Sequence, residues 1–428
     1  MSSFMKKQTT NHITTIWTEK FKTTVIKVSF SGPLRRENIT ERIMLANVLR
    51  NSSEKFQTKK ALSAHLEDLY GATLSVSAKK QGKLHHINFY IQVANEKFLK
   101  SAPSLFEAAL ETLSEVIMKP KITKNAFDPQ VVALEKRLLK EDIESIYDDK
   151  TMYGLKTMVA LMCEAENFGV NGDGYIEDLA AIDGEVLANA YTSMLETNEL
   201  DVVVLGDVVH DDVVGLFEEK FNLKRQFRKQ LQAVDHEEAT VDSVRSKKET
   251  QFVNQTKLNI GYRTFTRITD DDYFAMLVLN GVFGAFAHSK LFVNVREKES
   301  LCYYCGSQLD NFKGLMYVYS GLDLAQVPKA IQIIDEQLEA ICMKDVTADE
   351  LMMAKKSIIN SKRESLDSSS GMMSDLEISG MIGLNADDFI EKIAAVTVED
   401  LMMVAKKIKK DTIFTLEPAE SEEMTNGN

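Results

Sequence analysis

The sequence predicts an α+β protein built of two homologous halves, each an antiparallel-rich sheet with helices covering one face. Its 428 residues exceed the roughly 250 to 300 at which a single core stops growing, so two folded units are expected. Stretches with period-2 apolar alternation and stretches with helical spacing follow one another in the same order twice. In addition, LEKRLLKEDIESIYD (134–148) lies over MAKKSIINSKRESLD (353–367) at an offset of 219.

The first half opens on a strand, FKTTVIKVSF (21–30), in which Ile26, Val28 and Phe30 alternate with Lys27 and Ser29. Two segments of helical spacing follow, 39–50 and 58–70, and then GATLSVSA and HINFYIQV flank the turn KKQGK as a hairpin. PSLFEAALETLSEVIM (103–118) sets Phe106, Leu110, Leu113 and Ile117 on one helical face, with Pro103 suited to a first turn. Helices near 130–147 and 184–195 and the strand LDVVVLGD (200–207) close the half. In the second half, KLNIGYRTF (257–265) is the opening strand, 273–284 and 288–298 are helical, and LCYYCGSQL pairs with GLMYVYSGL around DNFK. Helices at 327–343, 349–365 and 398–410 precede the strand TIFTLEP. Residues 224–251 are charged and poor in large aliphatics, so they are read as a linker between halves 1–223 and 252–428. Two such units joined by a linker can form a clam, and pockets often lie at domain interfaces.

A formal charge of −13 from 51 basic and 64 acidic residues opposes a nucleic-acid partner, which needs a basic face. The four cysteines make no disulfide framework and fit a reducing compartment. The N-terminus has no apolar run of signal-peptide length, and the apolar stretch 275–292 is broken by Asn280, His288, Ser289 and Lys290, so no membrane span is expected. The expected location is cytoplasmic.

None of the seven histidines sits in H-E-x-x-H or H-x-x-E-H, and no phosphate-binding glycine loop is present. His65 with Glu67 and Asp68 reads as a polar helix face, and His85 and His86 as neighbours on opposite faces of a strand. Glu135, Glu141, Asp142 and Glu144, interleaved with Lys136, Arg137 and Lys140, read as a solvated, ion-paired helix. Cys302 and Cys305 form a C-x-x-C. On a regular strand residues three apart project to opposite faces, so the pair is expected neither to chelate one ion nor to close a disulfide. Arg296 ends a helix and Tyr303 begins a strand, so the turn between them can bring both to one rim.

The run GVFGAFAHSKLFVNVREKESLCYY (281–304) resembles the second half of the pitrilysin/insulinase family of inverted-zinc metallopeptidases, which includes the mitochondrial processing peptidases. The matching positions are Ser289, Leu291, Phe292, Val295, Arg296, Glu297, Leu301 and Tyr303. Residues 49–82 look like the stretch that follows the family's zinc helix, so the likeness covers nearly the whole chain. Carried over, the H-x-x-E-H falls on Ile43, Met44, Leu45, Ala46 and Asn47, and the third ligand, a Glu, near Glu135 to Glu144. Ile43 and Ala46 offer no ligand or base, and Asn47 substitutes poorly for imidazole. The resemblance therefore implies a chain that binds no zinc and does not hydrolyse peptides by itself.

What the resemblance retains is Arg296 with Tyr303, which in dimeric relatives bind substrate across the cavity from the zinc helix. A guanidinium and a phenol hydroxyl suit a carbonyl that becomes an oxyanion. The implied role is a non-catalytic, substrate-binding subunit of a heterodimeric zinc metallopeptidase, with zinc supplied by a homologous H-x-x-E-H partner and peptides as substrate. Two alternatives stand beside it: a catalytically inert scaffold, and a peptide-binding adaptor in peptide maturation.

Overall fold

The structure, a computed structural model, describes residues 6–100, 104–221, 231–237 and 239–419. Backbone packing groups the chain into two units, residues up to 144 with 170–233, and residues 145–169 with 234 onward.

In the first unit, β1 (Lys6–Thr10), β2 (Ile13–Trp17) and β3 (Thr23–Pro33) precede α1 (Ile39–Leu49) and α2 (Lys59–Asp68). Strands β4 (Thr73–Gln81) and β5 (Leu84–Ala94) form the expected hairpin. Next come α3 (Leu105–Met118), the short ladder β6 (Ile122–Thr123) and β7 (Ala126–Phe127), and α4 (Pro129–Asp148). Beyond α5 (Lys150–Met162) the unit resumes with α6 (Gly184–Thr197), β8 (Glu199–Gly206) and α7 (His210–Phe221). The helix start expected at Pro103 lies outside the described residues, as do 224–230 and 238 of the expected linker. The six-stranded sheet runs β1-β2-β8-β3-β5-β4, with β2 and β8 parallel and the other neighbours antiparallel.

Alternation along β5 buries Ile87, Phe89, Ile91 and Val93 and leaves Asn88, Tyr90 and Gln92 half-buried on the other side. The buried row packs with Val28, Phe30, Leu110, Leu113 and Met194 from β3, α3 and α6. Full burial of each large aliphatic or aromatic side chain contributes about 1.5–3 kcal/mol. Side-chain caps from Thr58, Ser104 and Asp183 begin α2, α3 and α6, each worth roughly 1 kcal/mol.

The second unit contains β9 (Arg245–Gln251), β10 (Thr256–Arg263) and α8 (Tyr273–Asn280), then wide π-type helical turns at Gly281–Ala285 and Phe292–Lys298. It continues with β11 (Cys302–Asp310), β12 (Leu315–Leu322), α9 (Val327–Cys342), α10 (Ala348–Ser365), α11 (Ser369–Ile382), α12 (Ala386–Ala395), α13 (Val398–Ala405) and β13 (Lys409–Pro418). Its sheet runs β11-β12-β10-β13-β9, with β9 parallel to β13 and the rest antiparallel. This order and these directions repeat β4-β5-β3-β8-β2 of the first sheet, so the duplication extends to the parallel edge.

Two features of the second unit differ from the expectation. Arg245–Gln251, read as linker, is edge strand β9, and Ala233, Val234 and Asp235 of the same stretch are buried. Exposed charge on an edge strand blocks further pairing, which is why the composition looked like a linker. Second, α5 lies within the first half in sequence but packs on β10 and β13, so this sheet is covered on both faces. Its Met158 and Met162 meet Leu315, Tyr317, Phe414 and Leu416. The approach is close enough that a Cβ on Gly261 would lie 2.6 Å from both methionine sulfurs.

Charged side chains fasten the segment after α5. Arg263 on β10 donates to Glu166 (2.6 Å), to Asp411 (2.9 Å) and to the Met162 carbonyl (2.7 Å). Lys313 adds contacts to Glu166 (2.6 Å) and Asp235 (3.0 Å), and all five charged side chains are nearly inaccessible. Among the described residues no helix is long and apolar enough to cross a membrane.

Candidate functional site

Helix α1 carries the first group of candidate positions. Ile43 and Ala46 are buried and Asn47 is half-buried. The loop after Asn171 is fastened over this helix: Thr40 Oγ1 donates to Asp178 (2.6 Å) and accepts the Tyr175 N–H (3.0 Å), while Arg36 binds Asp178 (2.7 Å) and stacks on the Tyr175 ring (3.6 Å). Gly174, at φ +84°, passes so close that a Cβ there would stand 3.2 Å from Ile43 Cδ1. An aliphatic side chain and a covering loop thus occupy the first motif position.

Glu135 does not lie on a solvated face as expected. It is 1% exposed, accepting from Asn51 Nδ2 (2.9 Å) and from Arg50 (3.2 Å), while Asn51 also donates to the Asn47 carbonyl (2.7 Å). A cation and an amide engage the carboxylate that stands beside the motif helix. The next turns keep the expected surface pairs Arg137–Glu141 (3.9 Å) and Lys140–Glu144 (3.6 Å). The donor set here does not fit zinc, since two positions have no ligand atom. Among the described residues no three His, Cys, Asp or Glu side chains form a group able to hold a metal ion.

A second polar cluster anchors α1 to the sheet. Arg42 is buried and donates to His85 Nδ1 (3.0 Å), Asn198 Oδ1 (2.6 Å) and the His85 carbonyl (2.9 Å). Burial, and then the Arg42 charge, pushes His85 down to about 3; burial and nearby lysines and Arg42 push His86 down to about 4. Because both folded-state values lie below the ordinary 6.5, the unfolded chain binds more protons, so stability is full above pH 6.5 and is lost as pH falls toward 3. Urea midpoints should therefore fall between pH 7 and pH 5, and His86→Gln should flatten that slope. An unchanged slope in the variant would remove His86 from this account.

In the second unit the candidate pair is brought together by two local irregularities. Phe292–Lys298 is wound wider than an α-helix, and Ser300 adopts φ +52° while the Leu301 N–H closes on the Val295 carbonyl (3.1 Å), turning the chain into β11. Widened turns of this kind recur at functional sites. Cys302 pairs with Leu322 and Tyr304 with Gly321, so Tyr303 is an extra residue, a bulge on an edge strand. It stands 76% exposed. The Arg296 guanidinium lies 4.5 Å from the Phe292 ring centre and 5.5 Å from that of Tyr303.

The same bulge overturns the expectation for Cys302 and Cys305. With one residue looped out, positions three apart regain the same face, and both cysteines pack on the core of the second unit. Strict alternation hid this. Likewise, the interleaved charges around Glu135 hid its burial, although a Glu two turns into an otherwise apolar-faced helix is a usable signal. His65, expected on a polar helix face, is instead half-buried, packing on Phe56 (4.6 Å) and bonding Thr112 (2.9 Å), while Glu67 and Asp68 are exposed as expected.

Comparison with known proteins agrees with these features. Residues 181–358 match the model described as Peptidase M16 inactive domain. The chain is 35% identical over 415 residues, 96% of each chain, to the "Probable inactive metalloprotease YmfF" of Bacillus subtilis strain 168. A conserved protein from Enterococcus faecalis V583 of solved structure is similar with TM-score 0.91 and 29% identity, covering 98% of this chain and 100% of that one. The peptidase M16 inactive domain from Pseudomonas fluorescens shares the fold, with TM-score 0.78 and 16% identity over 97% of this chain and 99% of that one. The chain thus belongs to the M16 peptidases, the pitrilysin/insulinase family of inverted-zinc enzymes, as a non-catalytic member.

Proposed function

We propose that this chain is the substrate-binding subunit of a heterodimeric zinc metallopeptidase of the cytoplasm, completing the active site of a homologous H-x-x-E-H partner that carries the zinc. The observation that supports this most is the exposed Tyr303 held against Arg296 on a bulged edge strand, in a chain whose own motif helix has lost its ligands. A side chain that served only packing would not be displayed to solvent in this way. Strand β11 leaves one backbone edge unpaired in its sheet, a surface to which an extended peptide can add as a further strand. Substrates are accordingly peptides or unfolded segments, and the process is peptide maturation or turnover.

The test is reconstitution. The chain and a homologous H-x-x-E-H protein from the same organism, purified separately and then mixed, are assayed on an internally quenched peptide with and without chelator. Chelator-sensitive cleavage only in the mixture is expected. Equal cleavage by the partner alone would overturn the proposal, and a stable complex without cleavage would favour an inert scaffold. Peptide binding by this chain without any metallopeptidase partner would favour a maturation adaptor.

A further inference from the structure

The bulge at Tyr303 creates a thiol pair with unequal members. Cys302 is half-buried at the start of the edge strand, whereas Cys305 is 5% exposed and packed in the core of the second unit. Cys302 stands opposite Leu322 and Cys305 opposite Ser320, so both thiols lie on the side of the strand that packs into the core of the second unit, with the Arg296 charge near Cys302. The Cys305 S–H contact, followed by Ser320 and Arg296, holds the Cys302 thiol down to about 7 against the opposing effect of burial. Cys305 is pushed up by the same contact and by burial. One sulfur is reachable and thiolate-rich; its neighbour is shielded and protonated. That division suits an attacking and a resolving cysteine.

We propose that Cys302 and Cys305 are a redox modification site, oxidised by a hydroperoxide to an intrastrand disulfide that spans the Tyr303 bulge. The Cys302 thiolate attacks one peroxide oxygen, so that an S–O bond forms as the O–O bond breaks and sulfur gives up two electrons. The products are a Cys302 sulfenic acid and, after proton uptake, an alcohol or water. The Cys305 sulfur then displaces hydroxide from the sulfenic sulfur, its own proton leaving with that hydroxide as water. In sum, two thiols and one hydroperoxide become one disulfide, one alcohol or water, and one further water. Strand β11 is paired on one side only within its sheet, so the backbone shift that a disulfide requires disturbs a single ladder. The bond fixes the loop that displays Tyr303, whatever partner the chain has.

The full-length protein is treated with one equivalent of hydrogen peroxide, alkylated under denaturing conditions, digested and mapped by mass. The expected result is a peptide holding Cys302 and Cys305 that is lighter by two hydrogens, reverting with dithiothreitol, with Cys163 and Cys342 alkylated. Before oxidation, Cys302 should react with iodoacetamide about tenfold faster than Cys342, as its larger thiolate fraction at neutral pH requires. Cys305→Ala, which keeps an apolar side chain in the core, should leave Cys302 as a sulfenic acid that dimedone traps. The wild-type protein, which needs no substitution to be assayed, should resist that trapping. Overturning results are a wild-type Cys302 that is trapped as fully as in the variant, a disulfide through Cys163 or Cys342, or a Cys302 no faster than Cys342.

Discussion

Arg263→Ala should lower the unfolding free energy by about 3–5 kcal/mol, because it strands buried carboxylates rather than merely deleting contacts. Arg263 is 4% exposed and is the donor shared by Glu166 and Asp411. Burial alone would raise both carboxyl groups, yet hydrogen bonds from Arg263 and Lys313 hold Glu166 below its ordinary value, and those from Thr412, Arg263 and Arg245 do the same for Asp411. Folded-state values below the unfolded ones mean that this stabilisation is full above the ordinary carboxylate range and is lost only as pH falls below it, through the lowered folded-state values. The measurement is the denaturant midpoint by circular dichroism at pH 7, repeated at decreasing pH below about 4, where the gap between variant and wild type should narrow. A loss under about 1 kcal/mol at pH 7 would show that water solvates the network, as at a surface ion pair.

Arg296→Ala and Tyr303→Phe should each lower the turnover of the reconstituted peptidase by roughly 10² to 10³ fold, the cost of removing one oxyanion donor. Stability should move by no more than about 0.5 kcal/mol, since Tyr303 is 76% exposed and surface changes of this kind are nearly neutral. Arg296→Lys should recover little, because an ammonium lacks the planar fork and stacks poorly on the Phe292 and Tyr303 rings. The informative split is between catalysis and assembly. If the variants form the complex less well but the complex that forms turns over normally, the pair is part of an interface and not of the substrate site.

The hairpins were legible in the sequence because burial on one face leaves a period-2 signature, as in Ile87, Phe89, Ile91 and Val93. The topological repeat was legible from element order alone. Strand β9 was not, since RSKKETQ is polar on both faces and owes its place to parallel pairing with β13. Helix α5 was missed because its partners Phe414 and Leu416 lie some 250 residues further along the chain. At the candidate site, the family resemblance singled out Ile43, Ala46, Arg296 and Tyr303 as candidates, while their surroundings depended on conformations that propensity does not report. The looped-out Tyr303 reverses the facing of every residue before it relative to those after it. Glu135 is buried where Arg50 and Asn51, just past the end of α1, reach it across 85 and 84 residues of sequence.

The position of β13 inside its sheet, between β10 and β9, sets an order on biosynthesis. Strand β8 fills the corresponding place in the first sheet and is translated by Gly206, so that unit can consolidate while the ribosome is still producing the second. Helix α5 emerges among the first-unit elements but finds Phe414 and Leu416 only after Pro418 is made. For the intervening time its methionine face is an exposed apolar strip on a nascent chain. A chain released before β13 would carry a finished first unit and an open second sheet, the form in which quality control would recognise it.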